Sequence, residues 1–311
     1  MDLRTLPMLP TINLSGQTAK PGSSSWASAC SNVRRALEEY GCFVAVYDKV
    51  SSELQSAVFD ALEDLFSLPT ETKAKNTSNK PFYGYQSPHP IFPLIEGMGI
   101  EDAPILERTQ SFTNLMWPTG NKRFCDSIHL YSELVSELER LVKGMVFESY
   151  GLEKYLNAHI NSTTYLLRFN KYRAPRKTET NLGAFPHSDK SFLTILRQNQ
   201  VNGLEIQTKE GDWIKYEPPA QSFLVMAGEA FLAWSNNRIH APIHRVIMTE
   251  KTARYSIVLF AFSNDLVITP EELVDDEHPL RFKPFDHFGF LCFYSKDTQK
   301  TDCTIKAYCG L

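Results

Sequence analysis

In His187-Ser188-Asp189 an imidazole and a carboxylate stand two residues apart. Extended backbone projects residues i and i+2 from one face, so both side chains can reach a single ion. Alone the pair means little, because His-x-Asp arises often by chance. A second imidazole, His244, lies in the strand-like run Ile243-His244-Arg245-Val246. Two histidines and one carboxylate make the facial triad of non-haem Fe(II) oxygenases, which leaves the opposite coordination positions open. His240 competes for the second histidine position, and the residues downstream of His244 favour His244. Arg254-Tyr255-Ser256 comes just after Glu250-Lys251-Thr252, which reads as a hairpin loop. A hairpin there pairs Arg254 with Met248 and puts it on the face of His244, about 13 Å along the ladder. That arrangement suits a five-carbon diacid with one end on the metal and the other on a guanidinium. Ser256, and Tyr172 of Asn170-Lys171-Tyr172, can donate to the same carboxylate. Without the two histidines, Arg254 would read as a surface residue beside a turn.

Other chemistries are excluded by missing motifs: no Walker A loop, no GxGxxG after a strand, no GxSxG elbow and no HExxH occurs. The 311 residues hold 42% hydrophobic side chains, enough for a sizeable core. Lys and Arg number 32 against 36 Asp and Glu, a net charge of −4 with no long run of either sign. A nucleic-acid partner held by a basic stripe is therefore not expected. No apolar stretch approaches the roughly 18–20 residues of a membrane span. The start at Met1-Asp2-Leu3-Arg4 lacks the apolar core of a secretory signal, and the six cysteines, Cys303 among them, form no CxxC pair. A soluble, cytoplasmic monomer is the expectation.

The elements that must position these residues change character along the chain. A short strand at Ile12 and Leu14 is followed by a helix whose apolar face is Trp26, Val33, Ala36, Leu37 and Tyr40. Then come a strand at 42–46 and a second helix capped by Ser51 or Ser52. Residues 76–120 read as irregular and rich in proline and aromatics, and a long helix spans 122–150 with Gly151 as its C-cap. Beyond Thr163 short strands are expected at 165–172, 192–196, 204–207, 213–216, 222–226, 243–248 and 255–262. Strands of this length and spacing, separated by turns, point to a sandwich or barrel. The tail after Pro270 reads as helical.

Taken together, these motifs resemble the plant 2-oxoglutarate- and Fe(II)-dependent dioxygenases over nearly the whole chain. Leu9 to Leu14 and Tyr40-Gly41-Cys42-Phe43 look like that family's N-terminal module. His187-x-Asp189, His244-Arg245-Val246, Arg254-x-Ser256 and Asn170-x-Tyr172 look like its core. Phe112 to Asn121 and Glu272 to Pro279 resemble the AOP-like class, whose members act on glucosinolate side chains, steroidal alkaloids and lignans. Glu229 stands where many relatives carry Asp, and Asn237 where Gly is common; Asn tolerates positive φ, so that turn can survive.

The resemblance implies a mainly β fold with flanking helices and a double-stranded β-helix (jelly-roll) core at 160–264. An N-terminal module at 1–120, a support helix at 121–159 and a helical tail at 265–311 complete it. It further implies that His187, Asp189 and His244 hold Fe(II), with 2-oxoglutarate and O2 as cosubstrates. Asn170, Tyr172, Arg254 and Ser256 then hold the 2-oxoglutarate. Phe112, Phe231 and Trp234 are expected to wall a pocket for a bulky aromatic or apolar small molecule, with 76–120 folded over the barrel mouth. Oxidative closure of the lignan yatein to deoxypodophyllotoxin is the sharpest substrate expectation. Hydroxylation, dealkylation or desaturation of an alkaloid, glucosinolate or auxin-type metabolite is the alternative. Two rivals keep the same barrel: a non-catalytic binding protein, which would normally show a broken triad, and a Zn(II) hydrolase, which needs no arginine anchor for a diacid.

Overall fold

The strand Thr163–Tyr172 alternates Leu167 and Phe169 with Arg168, Asn170 and Tyr172, and that period-two pattern decides which way its sheet faces. The computed structural model describes residues 8–296 and 304–311; Met1 to Arg4 and Cys303 lie outside the described residues. Helices and strands interleave in the first half: β1 (Thr11–Asn13), α1 (Ser24–Glu39), β2 (Cys42–Val46), α2 (Ser52–Ser67), α3 (Thr70–Lys73) and β3 (Ile95–Glu101). Three helices follow, α4 (Leu106–Met116), α5 (Lys122–Ser149) and α6 (Glu153–Asn161). Strands then dominate: β4 (Thr163–Tyr172), β5 (Leu182–His187), β6 (Leu193–Gln198), β7 (Leu204–Gln207), β8 (Trp213–Lys215) and β9 (Ser222–Ala227). After α7 (Glu229–Trp234) come β10 (His244–Ile247) and β11 (Arg254–Ser263), and the chain closes with α8 (His287–Ser295) and α9 (Thr304–Cys309).

Two sheets result. One has seven strands in the order β1-β2-β9-β6-β11-β4-β3, the other four in the order β5-β10-β7-β8. Side chains from both sheets meet in one apolar layer, Leu196, Leu224, Met226 and Val258 from the large sheet against Leu204, Ile206 and Val246 from the small one. The opposite face of the large sheet, with Phe169, Ile195, Val225, Ile257 and Leu259, packs on α1, α2 and α5. The jelly-roll core is thus a sandwich buttressed by helices on one side. The helix starts are where the capping residues put them: Ser23, Ser51 and Asn121 accept from the backbone N–H groups of Trp26, Leu54 and Phe124. Gly151 ends α5 with φ +68°, and Asn237 adopts the same φ of +68°, as its amide side chain permits.

Several expectations need correction. The stretch 76–120 is not wholly irregular, since it contains β3 and α4, and β3 is an edge strand of the large sheet on β4. The sheet therefore draws β1, β2 and β3 from the first third of the chain. The segments carrying His244 and Arg254 are not a hairpin. β10 pairs with β5 and β7 in the small sheet, while β11 runs between β4 and β6 in the large one. β11 is buried along nearly its whole length, so it needs partners on both edges, and the loop after β10 carries the chain from one sheet to the other. Residues 229–234, which lie between two expected strands, form a helix. No helix among the described residues is long and apolar enough to cross a membrane.

Candidate active site

His187 ends β5 and His244 begins β10, and the antiparallel register sets these two residues directly opposite each other. Their rings lie 4.3 Å apart, centroid to centroid. β5 was not foreseen as a strand because it contains Gly183 and Pro186. Asp189 follows two residues on, with Oδ1 3.9 Å from His187 Nε2 and 3.7 Å from His244 Nε2. One ligand atom from each of the three lies within 4.8 Å of the others, close enough to share one metal ion. His240 has no part in this group.

The groups behind these side chains fix which atoms point inward. His187 Nδ1 is 2.7 Å from the Phe185 carbonyl, and His244 Nδ1 is 3.4 Å from that of Pro242. A proton on each Nδ1 leaves Nε2 with its lone pair free, as metal-bound imidazoles require. Burial, reinforced by the neighbouring His244, lowers the pKa of His187 to about 4, which keeps it neutral. Thr194 on β6 donates to Asp189 Oδ2 at 2.7 Å, leaving Oδ1 for the ion. Glu229 at the start of α7, 1% exposed, holds the loop after β5 from behind. It accepts from Ser188 Oγ and Lys190 Nζ on that side, and from Thr304 Oγ1 and the Ile305 N–H of α9 on the other. Thr194, Lys190 and the α9 contacts were missed, because nothing local in the sequence marks a residue that acts through another.

A narrow chamber of about 60 Å³ runs inward from the triad between the two sheets. Asn170, Tyr172, Arg254 and Ser256 line it together with all three triad residues. Arg254 and Ser256 face Tyr172 and Asn170 across the β11–β4 ladder. Asn170 Nδ2 donates to Ser256 Oγ at 3.4 Å, and the Arg254 guanidinium lies 5.0 Å from the Tyr172 ring centroid. Arg254 and the two histidines line this chamber from opposite sheets, not along one ladder. Arg254 is 1% exposed; its Nη2 donates to Gln198 Oε1 at 2.7 Å, while Nε and Nη1 are buried without any partner. Burying a cation with unmade hydrogen bonds costs several kcal/mol unless a ligand completes them. A carboxylate on the exposed edge of that fork is the natural complement. The donor set thus fits both a divalent iron and a diacid.

Outside the triad a second chamber of about 200 Å³ opens. Phe82, Ile95, Phe260, Phe262, Leu291 and Tyr294 form its apolar wall, with Arg168 and Gln86 as polar members. The wall foreseen from Phe112, Phe231 and Trp234 is a misassignment. Phe112 is 6% exposed and stacks on Phe124, and Phe231 stacks on Phe192. Trp234 stacks on Phe147, so all three belong to the helix-facing core. The stretch 76–120 does contribute Phe82, Gln86 and Ile95, whereas Leu291 and Tyr294 come from α8 in the tail.

Family profiles match in two places: the 2OG-Fe(II) oxygenase superfamily over residues 163–263, and the non-haem dioxygenase N-terminal region, described from morphine synthesis, over 9–90. Among curated proteins, the probable 2-oxoglutarate-dependent dioxygenase AOP1.2 of Arabidopsis thaliana is 48% identical, covering 94% of this chain and 92% of that protein. The 2-oxoglutarate-dependent dioxygenase AOP3 of the same plant is 35% identical over 98% of each. Among solved structures, the dioxygenase for auxin oxidation of rice superposes with TM-score 0.83 at 28% identity, covering 98% of this chain and 100% of that one. Its Arabidopsis counterpart in complex with 2-oxoglutarate gives 0.79 at 29% identity, covering 88% and 100%. With such identity spread over almost its full length, the chain belongs to the AOP-like class of plant 2-oxoglutarate- and Fe(II)-dependent dioxygenases, enzymes that use Fe(II) with 2-oxoglutarate and O2 as cosubstrates.

Proposed function

We propose that this chain oxidises a small plant specialised metabolite held in the outer chamber, with His187, Asp189 and His244 as the iron ligands. Bound iron supplies the oxidative decarboxylation of 2-oxoglutarate to succinate and CO2 and the power to take hydrogen from a substrate carbon. The protein's own part is positional. Arg254, Ser256 and Tyr172 hold the far carboxylate of 2-oxoglutarate, and Asn170 orients Ser256. The apolar wall excludes water from the face on which the substrate sits. The observation that carries the reading is Arg254, a buried guanidinium with two nitrogens, Nε and Nη1, that have no hydrogen-bond partner, in the same chamber as the triad.

Hydroxylation is the outcome the geometry supports best. Ring closure of a lignan such as yatein needs two aromatic rings clamped against each other, and with the three aromatic residues expected to wall the pocket in the core that clamp would fall to Phe82, Phe260, Phe262 and Tyr294. Auxin oxidation, the activity named for the rice and Arabidopsis neighbours, is a second reading of the same chamber. The test supplies the Fe(II)-loaded protein with 2-oxoglutarate, O2 and a panel of plant metabolites that includes yatein and auxin-type acids, and tracks succinate and products. A product heavier by one oxygen supports hydroxylation. A yatein product lighter by two hydrogens restores ring closure, and no succinate under any condition sinks the oxygenase reading itself.

A further inference from the structure

On β4, Tyr172, Asn170 and Arg168 succeed one another on the face that lines the cavity. Tyr172 and Asn170 serve the inner chamber, and Arg168 stands one step further out, in the chamber left for the substrate. Arg168 is 7% exposed. Its Nε donates to Asn170 Oδ1 at 3.2 Å, its Nη2 to Gln86 Oε1 at 2.7 Å, and its Nη1 to the Phe82 carbonyl. Every one of these acceptors is neutral, and among the described residues no carboxylate forms an ion pair with it. A guanidinium has five N–H donors, so two remain.

Room for this side chain is built into the neighbouring strand. A Cβ at Gly97 of β3 would lie 2.7 Å from Arg168 Nη2 and 2.9 Å from Asn170 Oδ1. The cavity's other charges already have partners. Lys190 is paired with Glu229 at 2.7 Å. With Fe(II), Asp189, the 2-oxoglutarate dianion and Arg254 assembled, the charges at the inner end cancel. Arg168 is the cation left over. Burial lowers its pKa to about 10, and it stays protonated at neutral pH.

We infer that the substrate carries a carboxylate and that Arg168 binds it, with the hydrocarbon body against Phe260, Phe262, Leu291 and Tyr294. This rests on the oxygenase reading of the same site and narrows its substrate class to an organic acid. It also replaces the wholly aromatic or apolar substrate expected from the sequence. A buried, uncompensated cation in an apolar chamber is costly when empty and selects strongly for an anion when filled.

The test titrates the purified chain, loaded with Fe(II) and 2-oxoglutarate in the absence of oxygen, with 2-naphthylacetate and 3-phenylpropionate, each beside its primary amide. Calorimetry should show at least one acid binding about tenfold or more tighter than its amide. R168Q should reduce that preference to within about twofold, and R168K should keep part of it, retaining the charge without the fork. Equal affinities for acids and amides in the wild type, or no binding of either acid, overturn the inference, and neither result depends on a variant that must fold. Retention of the full preference in R168Q overturns it as well. Conversion of 2-oxoglutarate to succinate by the wild type, with and without the metabolite panel, is measured in parallel. Its absence under every condition sinks the oxygenase reading, whereas its presence alongside equal acid and amide affinities sinks only the role of Arg168.

Discussion

Two of the places where this molecule buries charge are built differently. Where α5 meets the large sheet, Glu139 and Lys143 are both fully buried and form an ion pair at 2.9 Å. The surplus valences are used locally: Lys143 donates to Thr163 Oγ1 at 2.8 Å, and Tyr165 OH donates to Glu139 Oε2 at 3.0 Å. Inside the sandwich, Arg254 and Arg168 are also buried, at 1% and 7% exposure, yet among the described residues neither forms an ion pair with a carboxylate. A packing site closes its own electrostatics. A binding site leaves them open for what enters.

The sharpest blow to the open site is removal of a proposed ligand to the metal. His187→Ala, Asp189→Ala or His244→Ala should each abolish iron binding and turnover, a loss well beyond the roughly 10–100-fold expected on removing a residue behind a ligand. Iron content by elemental analysis checks this, with circular dichroism to confirm the fold. His240→Ala should retain iron, and the reverse pattern for His240 and His244 would reassign the ligand. At the closed site, Lys143→Met strands the Glu139 carboxylate and should cost about 3–5 kcal/mol in urea unfolding. The 2-oxoglutarate affinity of the folded protein should hold; a large change there would dissolve the distinction between the two regions. Arg254→Lys should weaken 2-oxoglutarate binding by about 10–100-fold while iron affinity changes far less, because lysine cannot supply the bidentate fork. Equal loss of both would make Arg254 a structural residue. Smallest of all, Thr194→Val removes the donor to Asp189 Oδ2 and should weaken iron binding by about tenfold. An unchanged iron affinity would mean that Asp189 needs no such support.

The site was far more legible than its surroundings. His187, Asp189, His244 and Arg254 are residue types rarely assembled without a reason, and the fold brings all four to one chamber. The connection between His244 and Arg254 was misread because a short polar loop between two strands looks the same whether it turns back within a sheet or crosses to another. What separates the cases is that β11 is buried between β4 and β6, a property of its partners. In β3, part of the stretch read as irregular, Gly97 and Gly99 admit Arg168 and Leu166 from the next strand. The helix α7 is buried on all sides, so no periodicity separates it from a strand. The aromatic wall failed for a related reason: an aromatic side chain announces burial but not which of two interiors it enters. Phe82 and Tyr294, which do line the chamber, have no sequence mark that sets them apart from Phe112.

Glu229 joins chain segments made at very different moments of synthesis. Its carboxylate takes Ser188 and Lys190 on one side and Thr304 and Ile305 on the other. The sandwich strands and all three triad residues leave the ribosome well before α9 does. Until Thr304 and Ile305 have emerged, Glu229 lacks two of its donors, and the loop bearing Asp189 has no finished backing. Iron loading should therefore be largely a post-translational event, and a nascent chain stalled short of α9 should carry the strands of the barrel but bind the metal poorly.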